Sequence, residues 1–237
     1  MLSKSREKIL VIDVGGTHIK MLVTGRKEVV KFASGSTMNP ARMVEEVKKA
    51  AAKWAYAGIS IGYPGPVVHG KIVKEPFNLA CGWIGFDFEK AFGCRVKLMN
   101  DAAMQALGSY EGGRMLFLGL GTGLGSALVA EGVVEPMELA HLPYKKGRTY
   151  EDYVGLRGLE RYGKKKWRNH VHEIVDVLKN ALQTDYVVLG GGNAKLLKQL
   201  PAGTRLGDNA NAFRGGFRLW QAVETRATRK LPTALED

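Results

Sequence analysis

The stretch Val96-Lys97-Leu98-Met99-Asn100-Asp101 decides the fold that we predict for this chain. It is apolar apart from Lys97 until it ends in an amide and a carboxylate, and strong helix formers follow from Ala102 to Leu107. The pattern predicts a buried strand that leads directly into a helix. Because open α/β sheets bind ligands at the carboxyl ends of their strands, Asp101 is a candidate catalytic base. One alternative stays open, since Asp is also a favoured cap residue at the start of a helix.

Two glycine-rich turns lie on either side of this stretch along the chain. Asp13-Val14-Gly15-Gly16-Thr17 follows the apolar run Ile9–Ile12, and Gly119–Ser126 follows a second apolar run that begins at Met115. Glycines allow successive backbone N–H groups to point at a phosphate, although a plain hairpin turn is the alternative for the first turn. Another predicted strand follows each turn, so the second half of the chain repeats the pattern of the first. We therefore predict an α/β protein with two lobes and a central cleft.

Two common nucleotide-binding motifs are missing from these turns. The dinucleotide fingerprint G-x-G-x-x-G fails at the second turn, because Leu124 or Ser126 stands where its last glycine is required. A strand rather than a helix is also predicted to follow. The P-loop pattern G-x-x-x-x-G-K-[ST] does not occur, so the sequence excludes a P-loop.

The chain carries a large positive charge. Its 237 residues include 35 Lys and Arg against 23 Asp and Glu, which gives a net charge of +12. Such an excess favours polyanionic partners. The basic runs from Lys145 to Arg148 and from Lys164 to Arg168 are candidates for binding a long phosphate chain, and an ordinary solvated surface is the alternative.

Features that direct a chain to a membrane or an oxidising compartment are not found. The two cysteines, Cys81 and Cys94, form no CxxC motif, and Met1–Lys8 lacks the apolar core of a signal peptide. No apolar run approaches the ~20 residues that span a bilayer. We therefore expect a cytoplasmic protein with no membrane partner.

Five motifs occur in an order that resembles the ROK family of sugar kinases. They are, in chain order, Asp13-Val-Gly-Gly-Thr17, Asn100-Asp101, Gly121-Thr-Gly-Leu-Gly125, Glu138-Leu-Ala-His141 and Gly190-Gly-Gly192. The resemblance extends from about Ile9 to Ala222 and looks closest to the polyphosphate glucokinase branch, through the segments Tyr63–Gly70 and Asn78–Gly85. It implies an α/β, two-lobed actin/hexokinase/Hsp70-like (ribonuclease H-like) fold. It also implies phosphoryl transfer from polyphosphate or ATP to the 6-hydroxyl of glucose or to a related sugar.

The resemblance implies a role for each motif. Asp101 would take the proton from the sugar hydroxyl, and the positive end of the following helix is expected to keep it ionised. Asp13 would lie near Mg²⁺. The residues expected to bind the sugar are Asn78, Asn100, Asp101, Glu138 and His141. The residues expected to bind phosphate are Asp13, Gly15, Gly16, Thr17, Lys20, Gly121, Thr122 and Gly123. If ATP is the donor, its adenosine is expected to meet Gly190, Gly191 and Gly192.

Without the family, several of these residues have simpler interpretations. His141 suits a core histidine, Glu138 and Lys20 suit a solvated surface, and Gly190–Gly192 suits a strand-to-helix turn. The chain also departs from the family. Ala140 stands where a glycine is usual, which bears on whether glucose is the sugar. The zinc motif C-x-C-G-x-x-G-C-x-E is missing, so we expect no zinc.

We expect an N-terminal lobe over 1–99, a C-terminal lobe over 100–209, and a final helix over 210–230 that packs back on the first lobe. The resemblance further implies a homodimer. One alternative is a sugar-sensing regulator, which is disfavoured because a first strand near Ile9 leaves no room for a preceding helix-turn-helix. The other is a non-catalytic protein that binds polyphosphate or nucleic acid. The presence of Asp13, Thr17, Asn100 and Asp101 argues against it, so we expect no nucleic-acid partner.

Overall fold

The computed structural model describes residues 7–208 and 210–221. The elements of its first lobe are, in chain order, β1 (Ile9–Val14), β2 (His18–Val23), β3 (Val30–Ala33), α1 (Pro40–Ala50), β4 (Gly58–Tyr63), β5 (Val67–Val68), β6 (Lys71–Ile72), α2 (Phe88–Phe92) and β7 (Arg95–Asn100). Five strands form one sheet in the order β3-β2-β1-β4-β7. Strand β2 is antiparallel to both of its neighbours, whereas β1, β4 and β7 are parallel to one another.

The central strands of this sheet are buried on both faces, which explains their continuous apolar sequence. Helix α1 covers one face through the buried side chains of Met43 and Val47. It begins where the sequence favours a helix start, because the Asn39 side chain accepts a hydrogen bond from the N–H of Arg42 at 2.9 Å and Pro40 follows. The small hairpin of β5 and β6 turns at His69-Gly70, where both residues have positive φ.

The second lobe repeats the arrangement of the first. Its elements are α3 (Asp101–Ser109), β8 (Arg114–Leu120), β9 (Leu124–Ala130), β10 (Val133–Met137), α4 (Tyr150–Val154), α5 (Leu156–Ala181), β11 (Tyr186–Gly190), β12 (Thr204–Leu206) and α6 (Asn211–Arg218). The strand order is β10-β9-β8-β11-β12, with three antiparallel strands followed by two parallel ones. This order matches that of the first sheet strand for strand, as the repeated sequence pattern predicts.

Helix α5 is interrupted at Gly163. This residue has φ 69°, a left-handed conformation that glycine adopts without strain. Beyond the break, Trp167 is fully buried and its Nε1–H donates to the carbonyl oxygen of Val154 at 2.8 Å. The second half of α5 is therefore held against the sheet.

Helices α3 and α6 join the two lobes. They approach so closely that a methyl group on Gly108 would collide with the backbone of Asn211, and one on Gly215 with the backbone of Met104. Helix α6 also contacts the first sheet, where the Ser60 hydroxyl donates to the carbonyl oxygen of Gly216 at 2.7 Å. The α3–α6 pair therefore packs against both sheets.

Two sequence expectations differ from the structure at the C-terminal end. The helix expected over 210–230 is observed over Asn211–Arg218, and its remainder beyond residue 221 lies outside the described residues. The helix expected from Ala194 is only a single 3₁₀ turn, Ala194–Leu196. Within the described ranges, no helix is long and apolar enough to cross a membrane.

Candidate active site

A cleft of about 380 Å³ lies between the two sheets, at the carboxyl ends of β1, β7 and β8. Both glycine-rich turns reach it. The sequence-predicted residues that line the cleft are Gly15, Gly16, Asn78, Asn100, Asp101, Gly121, Thr122, Gly123, Glu138 and Gly191. Asp13, Thr17, Lys20, His141, Gly190 and Gly192 do not line it directly. The fold therefore collects groups from five separate parts of the chain around Asp101.

Asn100, not Asp101, is the cap of helix α3. The Oδ1 atom of Asn100 accepts from the N–H of Ala103 at 3.1 Å, and its Nδ2 donates to the carbonyl oxygen of Gly65 at 3.1 Å. Asp101 is the first helical residue. The simple cap interpretation of Asp101 is therefore wrong, and its carboxylate remains partly open to the cleft.

The surroundings of Asp101 raise its pKa to about 7 from an ordinary value of 3.8. Burial is the largest cause, and the negative charges of Asp13 and Glu138 add to it. The N–H of Ala102 donates to Oδ1 at 2.7 Å and opposes the increase, but it does not outweigh burial. The helix end therefore does not hold the pKa of Asp101 at its ordinary value, because desolvation in the cleft exceeds the stabilisation from the backbone N–H groups.

The first glycine-rich turn places one acid close to Asp101. Asp13 is largely buried at the end of β1, and burial raises its pKa; Lys20, whose Nζ lies 3.5 Å from Oδ2, offsets only part of the increase. Gly16 lies against Asn78, since a Cβ on Gly16 would lie 3.0 Å from the Asn78 Cβ. Thr17 and Lys20 are exposed beside the cleft.

The second glycine-rich turn is held from both sides. The Nδ2 of Asn193 donates to the carbonyl oxygen of Gly121 at 3.1 Å. The N–H of Leu156 donates to the carbonyl oxygen of Thr122, also at 3.1 Å. Across the part of the chain that the structure describes, the N–H groups of Thr122 and Gly123 have no hydrogen-bond acceptor. Two unpaired donors on a fixed glycine turn are suited to an anion.

Glu151 is a cleft residue that sequence reasoning missed. It lies in the first turn of α4, and its Oε2 accepts from the N–H of Leu124 at 3.1 Å while Oε1 lies 3.3 Å from the guanidinium of Arg157. A methyl group on Gly123 would collide with its carboxylate. The local sequence marks only a helix start, through the capping box of Thr149 and Asp152. The contact with the second turn depends on the fold.

Glu138 and His141 lie together at the rim of the cleft. The His141 Nε2 is 3.7 Å from a Glu138 carboxylate oxygen, and both side chains are mostly exposed, so His141 is not a core histidine. Ala140 between them is buried and lines the cleft. The rim therefore carries a hydrogen-bond donor and a hydrogen-bond acceptor beside the buried methyl group of Ala140.

A second cavity of about 410 Å³ adjoins the cleft at the end of β11. Gly190, Gly191 and Gly192 line it together with Lys195 and Asp208. Gly191 also lines the cleft, so the two spaces are neighbours.

The described residues contain no cluster of three or more acidic, His or Cys side chains of the kind that holds a metal ion by itself. Mg²⁺ often uses only one or two carboxylates and takes its other ligands from water and substrate phosphates. Asp13, a single carboxylate at the edge of the cleft, fits that smaller requirement.

Comparison with known proteins agrees with this arrangement. The sequence model of the ROK family matches residues 9–135. A polyphosphate glucokinase from Mycobacterium tuberculosis (strain H37Rv) is 28% identical over 203 residues, which cover 76% of each chain.

Solved structures share the fold. An inorganic polyphosphate/ATP-glucomannokinase from Arthrobacter sp. strain KM superposes with a TM-score of 0.77 at 22% identity, covering 90% of this chain and 98% of that one. A ROK family glucokinase from Streptomyces griseus, in complex with glucose and AMPPNP, gives a TM-score of 0.69 at 17% identity, with 90% and 98% coverage. The fold is the two-lobed actin/hexokinase-like fold, and because the family model covers more than half of the residues, this chain belongs to the ROK family.

Proposed function

We propose that the chain is a sugar kinase that transfers a phosphoryl group from polyphosphate or ATP to glucose, at its 6-hydroxyl, or to a related sugar. The observation that carries the proposal is the cleft itself. It places a carboxylate with a pKa of about 7 between two glycine turns, one from each lobe. The names of the polyphosphate glucokinase and glucomannokinase relatives support the substrate classes.

Asp101 is the general base in this proposal. A base works best when its pKa lies near the working pH, since it is then both deprotonated and able to hold a proton. Asp101 takes the proton from the acceptor hydroxyl as that oxygen attacks the phosphorus atom. Asn78, Asn100, Glu138 and His141 orient the sugar by hydrogen bonds. The capping role of Asn100 holds its amide in one orientation, while one N–H and one lone pair remain for the sugar.

The glycine turns bind the donor. Phosphoryl transfer depends mainly on positioning and on stabilising negative charge, which fixed backbone N–H groups provide without rearrangement. The unpaired N–H groups of Thr122 and Gly123 would contact the transferred phosphate, with Gly15 and Gly16 facing them from the first lobe. Asp13 would hold Mg²⁺, which supplies positive charge to the phosphate oxygens when bound.

A basic stripe along α5 favours polyphosphate as a donor. Arg157 and Arg161 lie one turn apart on this helix, Lys164 and Lys165 follow, and all four are exposed. The stripe begins at the cleft, because the N–H of the neighbouring Leu156 bonds to the second glycine turn. A chain of phosphates that leaves the cleft along α5 would meet Arg157 and Arg161 first, and Lys164 and Lys165 lie just beyond the break at Gly163.

The test of the proposed function is an activity matrix of ATP and polyphosphate against a panel of hexoses, with magnesium present or chelated. Sugar phosphate should form, and Asp101→Asn should slow its formation by about 10²- to 10⁴-fold. No turnover with either donor, or full activity in Asp101→Asn, would reject the kinase. Salt-sensitive binding of RNA or DNA by an inactive protein would favour the non-catalytic alternative.

The basic stripe has its own test. The double variant Arg157→Ala/Arg161→Ala should raise the KM for long polyphosphate about 10-fold or more and leave the KM for ATP nearly unchanged, because ATP is too short to extend along α5. Lys48→Ala/Lys49→Ala, which removes two exposed cations from α1, is the charge-matched control. Equal effects of the two double variants would show that only net charge matters.

Ala140 bears on the choice of sugar. Its buried methyl group lies in the cleft wall, so Ala140→Gly should enlarge the space beside the acceptor and change the ratio of kcat/KM between hexoses. An unchanged ratio across the panel would place the sugar elsewhere in the cleft.

We also expect a cytoplasmic homodimer. Light scattering can measure its mass in solution.

A further inference from the structure

Helix α3 is almost completely enclosed. Of its nine residues, Asp101–Ser109, only Asp101 and Gln105 retain partial exposure. These two lie four residues apart, so they project from the same face of the helix. Gln105 therefore opens onto the same space as the proposed base.

Gln105 lies at the junction between the cleft and the second cavity. Three residues line both spaces, namely Gln105, Phe117 and Gly191. Phe117 is apolar and Gly191 has no side chain, so, among the residues that the structure describes, the Gln105 amide is the only polar side chain shared by the two spaces. Anything that extends from one space into the other passes this amide.

The amide is positioned but not bonded. Its Oε1 lies close to the end of β11, since a Cβ on Gly190 would be only 3.5 Å away. Among residues 7–208 and 210–221, no hydrogen bond to the Gln105 side chain is formed. Its backbone carbonyl, by contrast, accepts from the Ser109 hydroxyl at 2.8 Å. A Gln amide offers two donors and an acceptor, so this one is free to bind a ligand.

We infer that Gln105 binds the phosphoanhydride donor at the phosphate that follows the transferred group. The inference rests on the proposed function, because it takes the transferred phosphate to lie beside Asp101. From there the donor must continue through the junction toward the second cavity. The Gln105 N–H groups donate to the oxygens of the next phosphate. A neutral amide can make these bonds to ATP and to polyphosphate alike. Gln105 is thus a donor-binding residue.

The experiment compares three substitutions at this position with the wild-type protein. Gln105→Met keeps the side-chain length and removes the amide, Gln105→Ala removes both, and Gln105→Glu adds a negative charge against the phosphate. Losing a hydrogen bond to a charged group should raise the KM for the donor about 10- to 100-fold in the first two variants, and more in Gln105→Glu. The KM for the sugar should stay within about twofold. Gln199→Ala, which removes an amide from an exposed loop, is the control.

The possible results separate this inference from the proposed function. A wild-type protein that neither binds nor uses ATP or polyphosphate overturns both. An active wild type with an unchanged donor KM in Gln105→Met overturns the inference alone. A rise in the sugar KM without a rise in the donor KM also overturns it, since Gln105 would then belong to the sugar site. Calorimetric titration with each donor measures the same difference without turnover, and an unchanged melting temperature of Gln105→Met shows that the fold is intact.

Discussion

The two lobes share one strand order and use the same position differently. Asp13 on β1 pairs with Gly62 on β4, and the equivalent residue of the second lobe, Gly119 on β8, pairs with Gly190 on β11. The first lobe therefore presents a carboxylate where the second presents only backbone. Each sheet brings its turn to the same cleft. The two backbones are therefore arranged alike, and the two lobes differ in the side chains that they present there.

This difference divides the electrostatic roles between the lobes. Asp13 makes the first turn negative, which raises the pKa of Asp101 beyond the effect of burial and provides a site for a cation. The second turn contains no acid in its own sequence, and the Glu151 carboxylate beside it is bonded to the N–H of Leu124. The N–H groups of Thr122 and Gly123 remain unpaired, which suits a phosphate. A cation site at the first turn faces an anion site at the second, and the base Asp101 lies between them, which is the arrangement that phosphoryl transfer needs.

The largest expected effect comes from removing the base itself. Asp101→Asn should lower kcat by about 10²- to 10⁴-fold, the usual contribution of a positioned general base. The same variant should be more stable than the wild type at pH 8, because an ionised buried carboxylate is destabilising there. At pH 4 the folded wild type keeps Asp101 protonated, so the difference in melting temperature should largely disappear.

Thermal unfolding of the ligand-free protein at both pH values checks this stability effect. Asp176→Asn, at an exposed position on α5, is the control and should change neither property. If Asp101→Asn lowers the melting temperature at pH 8, burial is not what raises the pKa of this carboxyl.

A second prediction concerns an acid placed in the second lobe, at the position equivalent to Asp13. Gly119→Asp should raise the donor KM by about 10-fold or more, since a carboxylate at this position repels the phosphate. The neutral variant Gly119→Asn has nearly the same shape and isolates the charge. Steady-state kinetics with varied donor separates the two variants. Equal KM values for them would mean that shape, not charge, distinguishes the turns.

The pH dependence should reveal the influence of Asp13 on Asp101. Because the base must be deprotonated, kcat/KM should fall about 10-fold per pH unit below pH 7, where the pKa of Asp101 lies. Asp13→Asn removes a nearby negative charge, so the pKa of Asp101 should fall and the acidic limb should move to lower pH. A pH–rate profile of the active residual enzyme measures the shift. A limb that stays in place would show that burial alone sets the pKa.

The smallest effect concerns the backbone of the turns. A methyl group on Gly15 would lie 2.8 Å from the carbonyl oxygen of His18, whereas one on Gly121 would meet nothing within 4 Å. Gly15→Ala should therefore lower the free energy of unfolding by about 1–3 kcal/mol. Each kcal/mol lost should lower the Tm by roughly 2–4 °C. Gly121→Ala should leave the Tm nearly unchanged. Comparable losses in the two variants would mean that both turns are equally tight.

Local patterns in the sequence were sufficient for several features. The apolar runs predicted β1, β7 and β8, and the two glycine turns predicted the edge where the cleft lies. These predictions succeed because they depend on residues close together in the chain.

The sequence by itself determined the repeated α/β pattern, the family motifs and the candidate base, since strand periodicity and turn chemistry are local properties. The tertiary structure alone decided which residue caps α3, how far burial raises the pKa of Asp101, and that Glu151 reaches the second turn. It also decided that Gln105 is the polar side chain between the two cavities. The physical reason is the same in each case: desolvation and hydrogen bonding between distant segments depend on which surfaces the fold brings together, and no local pattern records that.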